Sequence, residues 1–151
     1  EFGARSLGNR SILANPRDPK MKDRLNYVVK QREGFRPFAP TITEEEYQRF
    51  FEASEPSPYM SRVMKTRTKF IPSATHVDGT CRVQTVSQKQ NRKFHKLITL
   101  IGNQSSIPVV LNTSFNLKDE TITLTPKQAI ERYLKSEIDF LVINNFLIKK
   151  R

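Results

Sequence analysis

Apolar side chains recur in two stretches of the chain with the period of about 3.6 residues that is typical of an amphipathic helix. The first stretch predicts a helix over residues 20–31, with Met21, Leu25, Val28 and Val29 on one stripe. The second predicts a helix over residues 88–101, which Gly102 would cap at its C-terminal end. Both helices would bury one face against a sheet.

Capping signals predict two more helices. Thr43 followed three residues later by Glu46 is a capping-box pattern, which predicts a short helix that ends near Ala53. The pair Thr125-Pro126 combines a capping side chain with proline at the first helical position, so a helix is expected from there to about Lys135.

Shorter apolar stretches between these helices predict strands. Residues 66–72 and 80–86 alternate between apolar and polar side chains, whereas residues 107–111 are wholly apolar and are expected to be buried on both faces. A strand is also predicted over residues 121–124, and Asn144-Asn145 between two apolar runs indicates a hairpin. Helices and strands therefore alternate, which predicts an α/β or α+β fold with a mixed sheet and flanking helices in a single domain.

Composition narrows the class of protein. The chain has 151 residues, of which 36% are hydrophobic, which suits one domain with a sizeable core. No apolar run approaches the roughly 20 residues of a membrane span, so a transmembrane protein is not expected. The sole cysteine, Cys81, excludes an internal disulfide and a Cys-rich zinc site, and a reducing, cytoplasmic location is the expectation. The chain begins at Glu1 without methionine, and we interpret it as part of a longer protein.

The formal net charge of +11 points to an anionic partner. That partner could be nucleic acid, an acidic surface or a phosphate-bearing small molecule, and much of the charge could also be solvated surface. The positions of the cations within the fold must decide between these alternatives.

Three stretches carry more specific polar side chains than a scaffold requires. Arg5 and Arg10 lie in a glycine-punctuated loop, where a guanidinium could bind phosphate in a bidentate manner or simply face solvent. Lys30 ends the first helix, where a cation also has a purely structural reason to be, and Arg36 lies in a segment apolar enough to be partly buried. The third stretch follows the apolar strand and is formed by Asn112, Thr113, Ser114 and Asn116, which suit either a ligand at a strand end or a turn.

Other candidates are weaker. Arg82 occupies a strand interior, where facing solvent is the common case. His76 and Asp78 resemble half of a metal site, but no ligand cluster surrounds them in the sequence. Cys81 would need an adjacent base to act as a nucleophile, and the residues between Lys118 and Glu120 are interpreted as a solvated turn.

Five ordered motifs together resemble the C-terminal domain of the O-carbamoyltransferase family, which includes nodulation proteins and the antibiotic carbamoyltransferases that act on cephem and tobramycin scaffolds. The motifs are EFGARSLGNRS at residues 1–11, MKDRLN at 21–26, REGFRPFAP at 32–40, DG with RVQ at 78–84, and LNTSFN at 111–116. The resemblance covers the whole of residues 1–151. This chain departs from the family's pattern at Ala4 and Ser6, and near residues 117–120, where the family commonly has a glycine-containing turn.

The resemblance implies a YrdC-like twisted mixed sheet and one half of a two-part enzyme. This half would bind carbamoyl phosphate and ATP, with Mg²⁺ on the nucleotide, and form carbamoyl adenylate with release of pyrophosphate. An N-terminal transferase domain, which holds the only metal site of the protein itself, would then pass the carbamoyl group to a substrate hydroxyl. The resemblance assigns Lys30 and Arg36 to the phosphates as catalytic residues. It implies a binding role for the remaining candidates, which are Arg5, Arg10, Arg82, Asn112, Thr113, Ser114 and Asn116.

The alternative from a different class is a basic module that binds double-stranded RNA. It rests on the net charge of +11 and on the positive concave face that a YrdC-like fold would present, whereas the sequence carries no RNP-type aromatic motif and no helix-turn-helix pattern. The resemblance therefore favours carbamoyl phosphate, ATP and the transferase domain as partners, and neither nucleic acid nor a membrane is expected.

Overall fold

The computed structural model describes residues 7–150, and Arg5, with the other calls that fall on residues 1–6, lies outside the described residues. A six-stranded mixed sheet organises this part of the chain, in the strand order β1-β6-β2-β5-β4-β3. Only the central β2-β5 pair is parallel, and the other pairs are antiparallel. The strands are β1 (Ser11–Ala14), β2 (Ala39–Thr43), β3 (Phe51–Glu52), β4 (Arg62–Thr66), β5 (Thr80–Val86) and β6 (Val109–Ser114).

The helices cover this sheet. Helix α1 (Met21–Asp23) continues as a π-helical segment (Arg24–Val29), in which the Lys30 amide donates to the Leu25 carbonyl. The other helices are α2 (Tyr47–Phe50), α3 (Arg92–Ser105) and α4 (Pro126–Lys135), with a 3₁₀ turn at Pro72–Ala74. This arrangement confirms the expected mixed α/β fold.

The two faces of the sheet pack against different elements because side chains alternate along each strand. One face buries Ile42, Val83 and Leu111 in the main core, together with the π-helical segment and α4. The other face buries Val86 and Val110 against α3 in a smaller cluster. The strand that was expected to be buried on both faces is β6, but it runs from Val109 to Ser114 and not over residues 107–111, so Asn112, Thr113 and Ser114 lie within it and do not follow it.

A separate two-stranded hairpin closes the chain. Strands β7 (Phe140–Ile143) and β8 (Phe146–Lys149) pair around Asn144-Asn145, which confirms the predicted hairpin. Asn144 has a φ of +53°, the left-handed conformation that such a turn requires. Leu141 is buried in the main core, so the hairpin is part of the same packing unit.

Several predicted boundaries were wrong where side chains or neighbouring strands override local pattern. No strand covers residues 67–72, so the prediction over residues 66–72 was wrong. The preceding strand β4 ends at Thr66, because the Thr66 and Thr68 hydroxyls accept bonds from the Thr68 and Phe70 amides and turn the chain. The capping box at Thr43 does not form, because Thr43 is the last residue of β2 and pairs with Val86 of β5.

The other two corrections concern α3 and residues 121–124. Helix α3 runs past Gly102 to Ser105, and Ser106 caps it in the left-handed conformation. Gly102 lies inside the helix at a close approach to Pro108, where a Cβ would lie 2.7 Å from the proline side chain. Residues 121–124 form no strand ladder. The Thr123 amide and hydroxyl both donate to the Phe115 carbonyl.

Candidate functional site

The C-terminal end of β6 holds the ammonium group of Lys30. Lys30 Nζ donates to the Ser114 carbonyl at 2.5 Å, to the Asn116 carbonyl at 3.0 Å and to Asn116 Oδ1 at 2.9 Å. Lys30 is only 4% exposed, although it follows directly on the π-helical segment. Oxygen atoms therefore replace the water that a buried ammonium loses.

Burial and two nearby arginines weaken the proton affinity of this amine. The loss of solvent and, to a smaller extent, the charges of Arg32 and Arg36 together lower the pKa of Lys30 to about 7. Lys30 therefore exchanges a proton close to neutral pH, whereas an exposed lysine stays charged.

Asn26 shapes the loop that follows Lys30. This fully buried amide donates to the Gly34 carbonyl at 3.2 Å and to the Arg36 carbonyl at 2.9 Å, and its Oδ1 accepts from Arg32 Nε at 2.8 Å. Arg32 also stacks over the Phe38 ring, 4.8 Å from the ring centre. Asn26 thus fixes the guanidinium of Arg32 and the backbone of Arg36, and the charges of both arginines lie close enough to Lys30 to lower its pKa.

The structure distinguishes the two arginines of this loop. Arg36 is more exposed than its apolar neighbours predicted, with 53% of its side chain accessible, and among residues 7–150 its ion-pair partner is Glu33, at 3.8 Å. Arg32 is the better anchored of the two, and burial lowers its pKa. Sequence reasoning did not single out Arg32. Its position beside Lys30 in a short basic stretch was the available signal.

Arg10 reaches the same end of the sheet through its backbone. Its carbonyl accepts from the Phe115 amide at 2.9 Å, directly beyond the pairing of Ser11 with Ser114. The preceding turn depends on Gly8, which has a φ of +88°. A Cβ at this position would lie 2.8 Å from the Phe94 ring. The structure therefore brings Lys30, Ser114 and Asn116 together and places the backbone of Arg10 beside them.

Asn112 and Thr113 lie further along β6, and their side chains point to opposite faces of the sheet. Asn112 Nδ2 donates to Gln84 Oε1 at 2.7 Å, and the Thr41 hydroxyl donates to the same oxygen at 2.9 Å. These buried polar groups form a row across β6, β2 and β5. Gln84 is a further polar residue of this region that sequence reasoning missed.

Arg82 is an exposed residue of β5, as the sequence suggested. Continuing the register of Thr41 with Gln84 places Arg82 level with Ala39, which pairs with Asn112. Two strand spacings of about 4.8 Å each put the Arg82 backbone roughly 10 Å from that of Asn112. Arg82 therefore lies on the same face as Asn112, at one side of the candidate site.

The remaining candidates take no part in this cluster. His76 Nδ1 and the Thr80 hydroxyl are 2.9 Å apart, and Asp78 Oδ1 accepts from the same hydroxyl, so these residues shape a turn. Cys81 is buried, and burial raises the pKa of its thiol to about 11. A protonated thiol is a poor nucleophile, which argues against covalent catalysis by Cys81. None of the helices within residues 7–150 has the length and apolar character needed to cross a membrane.

The geometry defines a small α/β domain with a basic site at the end of a mixed sheet. Comparisons with known proteins identify the family to which this domain belongs. Residues 1–150 match the family model described as the carbamoyltransferase C-terminus. The chain belongs to this family, as the five sequence motifs indicated.

Relatives agree with this assignment. All of this chain aligns with the nodulation protein NolO of Bradyrhizobium diazoefficiens at 45% identity and with an uncharacterized protein of Methanocaldococcus jannaschii at 43% identity. The 3'-hydroxymethylcephem-O-carbamoyltransferase of Amycolatopsis lactamdurans is 40% identical over 80% of this chain. The chain covers 29%, 25% and 23% of these three relatives, respectively, so it corresponds to about a quarter of their length.

Proposed function

We propose that this domain binds carbamoyl phosphate and ATP and forms carbamoyl adenylate for an O-carbamoyltransferase. The observation that carries the proposal is the cluster of Lys30, Arg32 and Arg36, in which the charges of both arginines lower the pKa of Lys30 and the charge of Arg36 lowers the pKa of Arg32. Within the described residues their only ion pair with a carboxylate is the long contact between Arg36 and Glu33. A bound polyanion would relieve this repulsion.

The reaction needs charge neutralisation more than a protein nucleophile. Carbamoyl phosphate and water would give carbamate and phosphate, and a carbamate oxygen would then attack the α-phosphorus of ATP while pyrophosphate leaves. Arg32 and Arg36 would hold the phosphates, and Ser114 would donate a hydrogen bond to a substrate oxygen in place of its bond to Asn116 Oδ1. The buried thiol of Cys81 is consistent with a reaction that uses no covalent intermediate on the protein.

Lys30 has a more specific part in this proposal. Its ammonium is committed to oxygen atoms of Ser114 and Asn116, so in this geometry it fixes the end of β6 beside the phosphates. Direct contact with a phosphate would require one of these bonds to be exchanged. The basic cluster fits the anionic substrates, and Mg²⁺ would be held by the triphosphate oxygens, which are the ligands that it prefers.

The length of the relatives supports a second part of the enzyme that would use the carbamoyl adenylate. Because this domain matches about a quarter of each relative, we propose that the transfer of the carbamoyl group to a hydroxyl occurs in another part of the longer protein. The family's C-terminal position implies that this part precedes the domain. A cytoplasmic location follows from the same proposal, because carbamoyl phosphate and ATP are intracellular metabolites.

Isothermal titration of carbamoyl phosphate and of ATP with Mg²⁺ tests the proposal. We expect Arg36→Ala and Lys30→Ala each to weaken binding by more than about 1 kcal/mol, because each removes a charged hydrogen-bond donor from the site. Lys96→Ala, on the exposed face of α3, is the control and should bind as the parent chain does. A folded chain that binds neither ligand would contradict the proposal, and so would equal losses in the site variants and the control.

A further inference from the structure

A second polar network lies directly behind Asn116. Arg132 extends from α4 toward the loop that follows β6, and its side chain is only 10% exposed. Its Nε donates to Glu120 Oε2 at 2.6 Å, and another guanidinium nitrogen donates to the Thr123 hydroxyl at 2.8 Å. Thr123 in turn donates to the Phe115 carbonyl at 2.6 Å. The residues interpreted from sequence as a solvated turn therefore include Glu120, which is tied to a buried cation.

Glu120 closes the loop on itself. Its Oε2 also accepts from the Leu117 amide at 3.3 Å, and its backbone amide donates to the Leu117 carbonyl at 3.4 Å. Between these residues Asp119 has a φ of +55°, a conformation that a glycine adopts without strain. The ion pair with Arg132 thus helps to hold a turn that lacks the glycine common in the family.

This loop fixes the orientation of the Asn116 amide. Asn116 Nδ2 donates to the Leu117 carbonyl at 3.2 Å and to the Glu120 carbonyl at 3.1 Å. Asn116 Oδ1 must then point the other way, where it accepts from Lys30 Nζ at 2.9 Å and from the Ser114 hydroxyl at 2.6 Å. The reversed amide would place its NH₂ group against an ammonium and its oxygen against two carbonyls, which is unfavourable on both sides.

We infer that Arg132 and Glu120 are positioning residues for this site, because they hold the carbonyls that orient Asn116 and, through Asn116, the ammonium of Lys30. Stability alone is a weak reason for the pair, since apolar replacements of buried ion pairs are often neutral or stabilising. The inference rests on the proposed function for its effect on substrate, but the orientation of Asn116 can be measured without any ligand.

The primary variant is Arg132→Met, which keeps the length of the side chain and removes the donors. Lys135→Met, at the exposed end of the same helix, is the matched control. We expect Arg132→Met to weaken carbamoyl phosphate binding by roughly 10-fold or more, because the charged donors of the site are no longer held in place. Arg132→Lys keeps the charge but cannot contact Glu120 and Thr123 together, so it should restore part of the affinity.

A ligand-free measurement separates positioning from general damage. In ¹⁵N–¹H spectra the side-chain amide signals of Asn116 should shift or broaden in Arg132→Met, while those of the equally hydrogen-bonded Asn26 should keep their positions. If Asn116 keeps its signals in a folded Arg132→Met chain, the inference is overturned. If Asn26 changes equally, the role is general packing, which also overturns it.

Two further results keep the test decisive. If Arg132→Met does not fold, Glu120→Gln, which removes only the charge at the loop, takes its place with the same readouts and the same expected direction. If the parent chain does not bind carbamoyl phosphate, the proposed function fails, but a selective change at Asn116 would still support the positioning of that side chain.

Discussion

At the scale of single residues, Lys30 shows how burial converts an ordinary lysine into a group that titrates near neutral pH. Its surroundings lower its pKa from 10.5 to about 7, chiefly through the loss of solvent and then through Arg32 and Arg36. Between these two values the unfolded chain holds a proton that the folded chain has released. The free energy of unfolding therefore rises with pH over this window as far as Lys30 is concerned.

Lys30→Met should remove this dependence. Below about pH 7 the folded parent chain carries the full cost of a buried charge, so the parent should gain stability relative to the Met variant between about pH 6 and about pH 8.5, by on the order of a few kcal/mol. Urea unfolding of both chains at the two pH values measures the difference, in which the contributions of all other groups cancel. Parallel curves for parent and variant would show that Lys30 keeps an ordinary pKa.

The substrate should report the same titration with the opposite sign. A phosphate is attracted by the ammonium form of Lys30, so the affinity for carbamoyl phosphate should fall as pH rises through about 7. As pH rises through about 7, the free energy of unfolding should therefore increase while the affinity for carbamoyl phosphate decreases. Titration of carbamoyl phosphate at several pH values measures the second change, which an exposed lysine would not produce.

At the scale of elements, Asn91 connects the start of α3 to the loop that carries Arg10. Its side-chain oxygen accepts from the Phe94 amide at 3.0 Å as a helix cap, and its Nδ2 donates to the Leu7 carbonyl at 2.9 Å and to Asn9 Oδ1 at 3.2 Å. One side chain therefore both begins a helix and holds the turn that leads into β1.

Two substitutions separate these roles. Asn91→Ser keeps a capping oxygen but loses the tether, whereas Asn91→Ala loses both, so we expect losses in the free energy of unfolding of about 1 kcal/mol for Asn91→Ser and about 2 kcal/mol for Asn91→Ala. Chemical denaturation measures both. Equal losses in the two variants would mean that the cap contributes nothing, and no loss in Asn91→Ser would mean that the tether contributes nothing.

At the scale of the whole molecule, the terminal hairpin presents apolar side chains on both of its faces. Leu141 points into the main core and is 7% exposed, whereas its neighbour Val142 is 68% exposed and Leu147, opposite Val142, is 69% exposed. The sequence of this hairpin lacks the polar alternation that is typical of a sheet face in water. Its pattern alone therefore could not identify the inward face.

A matched pair of substitutions tests which face the core uses. Leu141→Ala should lower the free energy of unfolding by about 2–5 kcal/mol, because it removes buried methyl groups, whereas Val142→Ala should change it by less than about 0.5 kcal/mol. Thermal unfolding of the two variants gives the comparison. Similar losses at both positions would contradict the observed register.

The sequence predicted the elements whose signals are local. The start of α4 at Thr125-Pro126 and the hairpin turn at Asn144-Asn145 were correct, because capping and turn preferences act over a few residues. The boundaries of β4 and α3 were wrong where a hydroxyl turned the chain or a glycine was required for close packing. The basic stretch around Lys30 and the polar stretch at residues 112–116 were also recognisable, as separate candidates.

Only the tertiary structure decided how those candidates meet. Lys30 and Ser114 are 84 residues apart in the chain, and Arg132 of α4 contacts Glu120 in the loop that follows β6. Local preferences determine where helices and strands form and which side chains are charged, because they depend on neighbours in sequence. Three features of the site depend instead on which faces pack together: the low pKa of Lys30, the anchoring of Arg32 and the orientation of Asn116. Packing is a property of the whole chain, so these features cannot be read from neighbours in sequence.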